Sequence, residues 1–567
     1  MCGIVGYYGP ANPKDIILEG LRALEYRGYD SAGVAILHND KLKCLRAQGK
    51  LSRLADRLGT EEFNGRMGIG HTRWATHGVP SERNAHPHYV NGVCIVHNGI
   101  IENYGAIRDA LLSEGAQLSS DTDSELIAHL ISRELKTTPD LVEAVRKTIP
   151  QLHGAYAVLA IWENQPDTLV AFKYGPPLIL GIGVDEILVA SDIQAIVSHT
   201  KDIIYLEDHD VAVVTGTQCE VFDRNGKKLN KPVQKIDWTS AKVEKQGYDH
   251  YMLKEIFEQP RAVAAAMAPH IDLEKNEIRM AGLSASLSSQ QVEEKLKQVE
   301  RIFIVACGTS FYAGMIGEYL LEQLAEIPVE IDVASEFRYR KPVVPKNSLV
   351  IVISQSGETA DTLAVLRQVK QAGALAMSLC NVRASTIDRE ADFHLYMNAG
   401  PEIGVASTKA FTSTLAVMNL FALFMAKLRK RLPRETEKKH LIEQLAIPAQ
   451  MESVLAYSKF FAEAASVLKR YHGFLYLGRG VNYPIAMEGA LKLKELAYMH
   501  AEGYAAGEMK HGPLALIDEG MAVVVIAPQD EVYEKTISNL EEAKARGGKI
   551  ISIGTANDTR LEKLSVH

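Results

Sequence analysis

The 567-residue chain has little of what usually classifies a protein at sight. Its six cysteines (2, 44, 94, 219, 307 and 380) form no C-x-x-C pair and no framework spacing, which excludes a disulfide-stapled scaffold and predicts reduced, mostly buried thiols. Positive charge is not in excess: the formal net charge is −8, leaving no basic footprint for nucleic acid or an acidic membrane. No apolar run reaches membrane-spanning length. The most apolar stretch, 411–426, carries Thr, Ser and Asn and reads as a buried helix. The basic start and apolar core of a signal peptide are missing, so a soluble, cytoplasmic protein is expected. No Walker lysine follows a glycine loop and no G-x-G-x-x-G opens a helix, which disfavours a nucleotide. No cofactor is expected, and no metal: His71, His77, His86, His88 and His97 lack the spacing of a closed site.

What is present begins at the second residue. Cys2 follows the initiator methionine, and its small side chain permits that methionine to be clipped. The exposed α-amine, with a pKa of about 8, can then serve as base for the adjoining thiol. The residues behind it, Gly3-Ile4-Val5-Gly6, suit a buried strand that would hold the chain end rigid.

Composition is ordinary for a globular protein (47% hydrophobic, 23% charged), and the length calls for several domains. Up to about residue 240, strands are predicted at 33–37, 67–71, 93–97, 155–162, 169–174, 187–190 and 211–214. Helices are predicted at 13–26, near 107–114 and at 124–135, the first ending in the turn Arg27-Gly28-Tyr29-Asp30-Ser31. Strands outnumber helices, which predicts an α+β domain of stacked sheets. Three polar clusters interrupt it: His71-Thr72-Arg73-Trp74-Ala75-Thr76-His77-Gly78, His97-Asn98-Gly99-Ile100-Ile101-Glu102-Asn103, and Ser119 to Glu125. Singly they read as a loop, an Asn-Gly turn and a helix N-cap. Together with Cys2 they supply what amide hydrolysis needs. Asn98 and the Gly99 N–H can donate to a developing oxyanion, Arg73 can fork onto a substrate carboxylate, and Asp123 can hold its ammonium.

Beyond residue 250 strands alternate with helices, the signature of parallel sheets. The pattern occurs twice. The strand 302–308 with its helix from Ser310 is answered by 474–480 with a helix from about Pro484, and 349–353 by 521–526. A shared offset predicts duplication. Two strand ends of the first copy carry Cys307-Gly308-Thr309-Ser310 and Ser354-Gln355-Ser356-Gly357-Glu358-Thr359, whose hydroxyls and backbone N–H groups suit a phosphate at helix N-termini. In the second copy Lys492 and Glu495 sit three apart on a helix, which by itself is a solvated ion pair.

The first set of motifs resembles the N-terminal-nucleophile class II glutamine amidotransferase domain, and the duplicated set resembles the SIS (sugar isomerase) domain. With Glu336 to Arg340, Gly404 to Lys409, Glu488 to Glu495 and Gly507 to Leu514, the whole chain is similar to the isomerizing glutamine–fructose-6-phosphate aminotransferase family. The resemblance implies an Ntn hydrolase-like α+β domain at 2–215, a linker at 216–255, and two α/β parallel-sheet SIS domains at 256–430 and 431–567. It implies that Cys2 attacks glutamine, Asn98 and Gly99 form the oxyanion hole, and Arg73, Trp74, His77 and Asp123 bind or enclose the amino acid. Thr309, Ser310, Ser354, Gln355, Ser356, Thr359 and Val405 would bind fructose 6-phosphate. Glu495 would move a proton between C1 and C2 beside Lys492, with His511 assisting ring opening from a second subunit of a homodimer. The expected products are L-glutamate and D-glucosamine 6-phosphate, with ammonia passed internally.

The family also continues past the strand at 549–554 into a tail with a Schiff-base lysine, for which this sequence has no counterpart; truncation or an impaired synthase step is therefore expected. Other readings stay open: a different amidotransferase of the same N-terminal type, a glutaminase with a crippled synthase, or a sugar-phosphate-binding SIS regulator.

Overall fold

The computed structural model describes residues 2–566 except 26, 27, 29, 60, 62, 75, 76, 236–244, 281 and 285. The chain divides into two compact units, Met1–Glu244 and Lys245–His567.

In the first unit the early strands are β1 (Gly3–Tyr8), β2 (Ser31–His38), β3 (Lys41–Gln48), β4 (Met67–Arg73), β5 (His88–Val90) and β6 (Val93–Ile101). Then come β7 (Gly154–Trp162), β8 (Thr168–Tyr174), β9 (Ile179–Ile182), β10 (Ile187–Ala190) and β11 (Asp202–Tyr205). β12 (Val211–Thr215), β13 (Gln218–Phe222), β14 (Lys228–Leu229) and β15 (Gln234–Lys235) complete the set. Among the described residues they make two antiparallel sheets, ordered β15-β11-β9-β10-β1-β4-β2-β3 and β14-β13-β12-β8-β7-β6-β5. The sheets face each other across a core that includes Ile4, Ile69, Val96, Leu159 and Ala171.

Helices α1 (Pro13–Ala23) and α2 (Leu51–Leu58) cover the outer face of the first sheet through Ile17, Leu21 and Leu54. The second sheet is covered by α3 (Tyr104–Ser113), α4 (Ser124–Leu135) and α5 (Leu141–Thr148), with Ile107, Ile127 and Val145 packed on Ile95 and Val158. This is the stacked-sheet α+β architecture that the strand pattern implies. β1 is buried along its whole length between β10 and β4, so the chain start is held in the middle of a sheet.

Local signals explain most boundaries. At α1, Asn12 caps by accepting the Lys14 N–H and Pro13 occupies the first turn. The helix stops at Ala23, short of the expected 26, where the Leu24 N–H turns back to Leu21 and Arg22. Residues 26, 27 and 29 of the expected turn lie outside the described residues. β6 runs to Ile101, so Asn98-Gly99 is not a turn: those residues pair with Ala157 and Tyr156 inside the ladder. β3 and α2 carry no apolar run. Lysines alternate with Leu42 and Cys44 along β3, and only Leu51, Leu54 and Leu58 of α2 turn inward.

The second unit opens with α6 (Tyr251–Met267), a small hairpin of β16 (Ile271–Asp272) and β17 (Glu277–Ile278), and α7 (Ser289–Lys297). Its first module comprises β18 (Arg301–Ala306), α8 (Gly308–Ala325), β19 (Val329–Val333), α9 (Ala334–Phe337), β20 (Ser348–Ser354) and α10 (Ala360–Gln371). β21 (Leu375–Cys380), α11 (Thr386–Glu390), β22 (Phe393–Tyr396) and α12 (Lys409–Leu428) finish it, and α13 (Arg434–Leu455) and α14 (Ser458–Leu468) lead on. The second module has β23 (Gly473–Gly478), α15 (Asn482–Ala497), β24 (His500–Ala505), β25 (Met521–Ala527), α16 (Tyr533–Ala545), β26 (Lys549–Gly554) and α17 (Thr559–Leu564).

The two parallel sheets are ordered β19-β18-β20-β21-β22 and β24-β23-β25-β26. In each, the second strand pairs on one side of the first and the third on the other, so the repeat read in the sequence is a repeat of topology. α12, which contains the apolar stretch 411–426, is the one helix among the described residues long and apolar enough to cross a membrane. It is instead a core helix, with Val417, Leu420, Phe421 and Met425 fully buried against Ile304, Ile351 and Leu379.

Candidate active sites

In the first unit, three elements deliver the expected groups. Cys2 precedes β1, Arg73 ends β4, and Asn98 and Gly99 lie on β6. The Cys2 sulfur accepts the Trp74 backbone N–H at 3.2 Å, and Asn98 Nδ2 donates to the Cys2 carbonyl at 3.0 Å. Burial pushes the Cys2 thiol up, against the lowering effects of the Trp74 hydrogen bond and the Arg73 charge.

The Asn98 amide is oriented from behind. His71 Nε2 lies 3.0 Å from both Asn98 Oδ1 and the His97 carbonyl. Both neighbours are acceptors, so this nitrogen carries the proton and holds the amide oxygen away from Cys2. Burial holds His71 down to about 3, so it remains a neutral donor across the physiological range.

Gly99 has φ 132°, and a Cβ there would lie 2.0 Å from the Ala155 carbonyl oxygen. Only glycine lets this strand adopt that φ while pairing so tightly.

Arg73 is buried, with Nη2 donating to the carbonyls of His77 and, at 3.2 Å, Gly78. Its Nη1 is buried without a hydrogen-bond partner among the described residues, a donor suited to an incoming carboxylate. Asp123 was expected to fit a helix N-cap in the plainer reading. It stands at the start of α4 but makes no capping bond; its Oδ2 accepts the Ile101 N–H at 2.8 Å instead. That bond joins the third polar cluster to the second. Further links run from the His97 N–H to His86 Nδ1 (3.2 Å), between His97 Nδ1 and Ser124 Oγ (2.8 Å), and between His88 Nε2 and Thr122 Oγ1 (3.0 Å). Burial keeps His86, His88 and His97 in their neutral forms. Trp74 is 43% exposed, and the His77 ring stands edge-on to Tyr104 at 5.4 Å. Residues 75 and 76 of the first cluster lie outside the described residues.

In the second unit the phosphate-type loops follow β18 and β20, which are neighbours. Because β19 lies on the far side of β18, the gap between these carboxyl ends is a topological switch point, where open α/β sheets place their ligands. Thr309 and Ser310 open α8 behind a left-handed Gly308 (φ 55°), and no side chain caps that helix. In the other loop Ser354 Oγ and Thr359 Oγ1 are 3.0 Å apart, Ser354 Oγ accepts the Gly357 N–H at 3.0 Å, and Ser356 Oγ accepts the Glu358 N–H at 3.2 Å. Gln355 holds Asn381 through its carbonyl.

The second module reaches this loop with a helix. Lys492 Nζ on α15 contacts Glu495 Oε2 (2.6 Å), Glu488 Oε1 (3.2 Å) and Thr309 Oγ1 (3.1 Å), and Thr309 donates to Glu488 at 3.0 Å. Lys492 and Glu495 are therefore not merely a solvated surface pair. Glu488 is pushed up to about 7 by burial, with Lys492 and Thr309 pulling the other way. It was outside the predicted site, although its i, i+4 spacing from Lys492 is visible in the sequence.

Val405, 43% exposed, sits in the loop between β22 and α12. Glu255 of α6 secures that loop by accepting the Ile403 and Gly404 N–H groups, while Glu402 accepts those of Thr408 and Ala410. His511 is the exposed last residue of a 3-10 segment and makes no hydrogen bond or ion pair with Lys492 or Glu495 among the described residues.

The glutamine amidotransferase domain family matches residues 71–198, and the SIS domain family matches residues 295–424 and 469–567. The glutamine–fructose-6-phosphate aminotransferase (isomerizing) of Chlorobaculum tepidum is 47% identical over 572 residues, covering 100% of this chain and 92% of that protein. Proteins of the same name are 45% identical in Thermus thermophilus (100% of this chain, 92% of that protein) and 47% identical in Brucella suis (98% and 90%). Among solved structures, the C-terminal domain of glucosamine-fructose-6-phosphate aminotransferase from Francisella tularensis is 45% identical, with TM-score 0.52, covering 55% of this chain and 85% of that one.

Proposed function

Because the chain belongs to the isomerizing glutamine–fructose-6-phosphate aminotransferase family, we propose that it converts L-glutamine and D-fructose 6-phosphate to L-glutamate and D-glucosamine 6-phosphate. Once Met1 is removed, the Cys2 amine takes the thiol proton and the sulfur attacks the glutamine amide. Asn98 Nδ2 and the Gly99 N–H stabilise the oxyanion, Arg73 and Asp123 hold the α-carboxylate and α-ammonium, and Trp74 and His77 enclose the substrate. Collapse of the oxyanion leaves a thioester and ammonia, and water then frees glutamate. Ammonia passes internally to the sugar.

Thr309, Ser310, Ser354, Gln355, Ser356 and Thr359 hold the sugar phosphate, with Val405 alongside. Glu495 moves the proton between C1 and C2, and Lys492, 2.6 Å from its Oε2, holds it in position. His511 opens the ring from a second copy in a homodimer, a reading supported by its exposure and by the absence, among the described residues, of a side-chain bond to Lys492 or Glu495. Cytoplasmic location is part of the same proposal, supported by six unbridged cysteines among the described residues.

The observation that carries the glutaminase half is the Asn98 amide, its donor side turned to Cys2 by a neutral His71. The test measures glutamate release and glucosamine 6-phosphate formation together. Cys2→Ala should abolish glutamate release while fructose 6-phosphate still binds. Parallel loss of both in a folded variant would refute the two-site division, and glutamate without amino sugar in the parent would leave a glutaminase alone.

A further inference from the structure

Two thiols in the first unit play no part in the chemistry above. Cys44 lies on β3, the edge strand of the first sheet, and Cys94 on β6 of the second, yet their sulfurs are only 3.3 Å apart. Cys94 is fully buried and Cys44 half-buried, so Cys44 is the thiol nearer to solvent and Cys94 lies behind it.

The contact is held from outside. Glu163, in the turn joining β7 to β8, accepts the Leu42 N–H at 3.0 Å, the Lys41 ammonium at 3.3 Å and the Tyr89 hydroxyl at 3.2 Å. Leu42 and Lys41 begin β3, and Tyr89 is the cross-strand neighbour of Cys94, so this carboxylate pins both flanks of the pair.

We propose that Cys44 and Cys94 are a redox modification site, oxidised by a hydroperoxide to a reversible disulfide that joins the two sheets. The Cys44 thiolate attacks a peroxide oxygen; the O–O bond breaks, one oxygen stays on sulfur as a sulfenic acid, and the other leaves after taking a proton, as water from hydrogen peroxide or as the alcohol from an organic hydroperoxide. The Cys94 sulfur then attacks the Cys44 sulfur, the S–O bond breaks, and the hydroxyl leaves as water with the Cys94 proton. Two electrons pass from the two sulfurs to the peroxide. A partly exposed thiol whose pKa is lowered by a hydrogen bond from the Cys behind it fits this order of attack. The new bond would tie β6 to the opposite sheet four residues ahead of Asn98.

The experiment uses the full-length Cys2→Ala chain, so that oxidation of the nucleophile does not intrude, with hydrogen peroxide as the probe. Non-reducing peptide mapping should recover the Cys44 and Cys94 peptides joined, and dithiothreitol should separate them. All three tryptophans (74, 162 and 238) fall within the first unit, so intrinsic fluorescence reports its unfolding. Closing about 50 residues of chain should raise the melting midpoint by about 10 °C, reversibly. Cys44→Ser should lose the linkage and the shift, and Cys94→Val, which keeps the core apolar, should leave Cys44 stopped at the sulfenic or a more oxidised acid. Peroxide treatment that leaves both thiols alkylatable, links Cys44 to any other sulfur, or yields the same Cys44 acid in the parent as in Cys94→Val would overturn the proposal. None of these readouts depends on glutamine or sugar chemistry.

Discussion

His71→Leu tests whether the glutaminase depends on a residue that never touches substrate. The His71 N–H is the donor within 3.0 Å of both the His97 carbonyl and Asn98 Oδ1. Leucine fills the volume but leaves two buried acceptors short of a proton, at a cost to stability of about 1–3 kcal/mol. The larger effect falls on catalysis. A single oxyanion-hole donor is worth about 2.7–4 kcal/mol, or roughly 100- to 1000-fold in kcat. Once its oxygen is no longer anchored, the Asn98 amide can present either end to the anion, so kcat for glutamate release should fall by about 100-fold, while KM for glutamine moves less than about 3-fold. Glutamine at position 71 places an N–H near the same point and should recover about tenfold or more of that loss. A merely structural role would lower the amount of folded protein without splitting kcat from KM, and would gain nothing from His71→Gln. Stopped glutaminase assays on variants matched for folded fraction decide it. A folded His71→Leu protein within 3-fold of parental kcat would refute the reasoning.

Two more tests address the second unit. Gly357 has φ 67° and a Cβ there would meet Ser385 Oγ at 1.9 Å, so Gly357→Ala should deform the Ser354–Thr359 loop. We expect fructose 6-phosphate affinity by calorimetry to drop about tenfold or more, consistent with a few kcal/mol of local strain, with glutamate release unchanged. Glu488 is raised from an ordinary carboxylate value to about 7, so the folded protein holds a proton that the unfolded chain has already lost. Its contribution to stability is therefore complete below pH about 4.5 and is lost as pH rises toward and through about 7, with a slope of at most about 1.4 kcal/mol per pH unit. Urea midpoints of the second unit at pH 5 and pH 7.5 should differ less in Glu488→Gln than in the parent; an equal difference would contradict the raised value.

The strand-rich and strand–helix halves were legible because apolar periodicity survives in a single sequence, as the buried runs of β1, β20 and β25 illustrate. Residue types likewise pointed to Cys2, Arg73, Asn98, Gly99 and Asp123, since amide hydrolysis admits few alternatives. What could not be read was tertiary. Asn98-Gly99 has the local signature of a hairpin turn, but its pairing with β7 overrides that preference. Asp123 looks like a cap, and only folding brings Ile101 to its carboxylate. His71 lies in the first polar cluster without an evident task in the sequence, because its partners are 26 and 27 residues away. β3 was hidden by its lysines, and with it the proximity of Cys44 to Cys94.

The matching strand orders of the two sugar modules conceal an unequal partnership. One twin keeps hydroxyls and glycines in the cleft between its central strands; the other has Gly478-Arg479-Gly480 there, with Arg479 engaged by Asn539, and contributes a helix of acids and a lysine to its sibling instead. On the proposed reading, anchoring falls to one sibling and proton chemistry to the other, joined where Glu488 and Lys492 meet Thr309, so neither module alone would hold a complete catalytic centre.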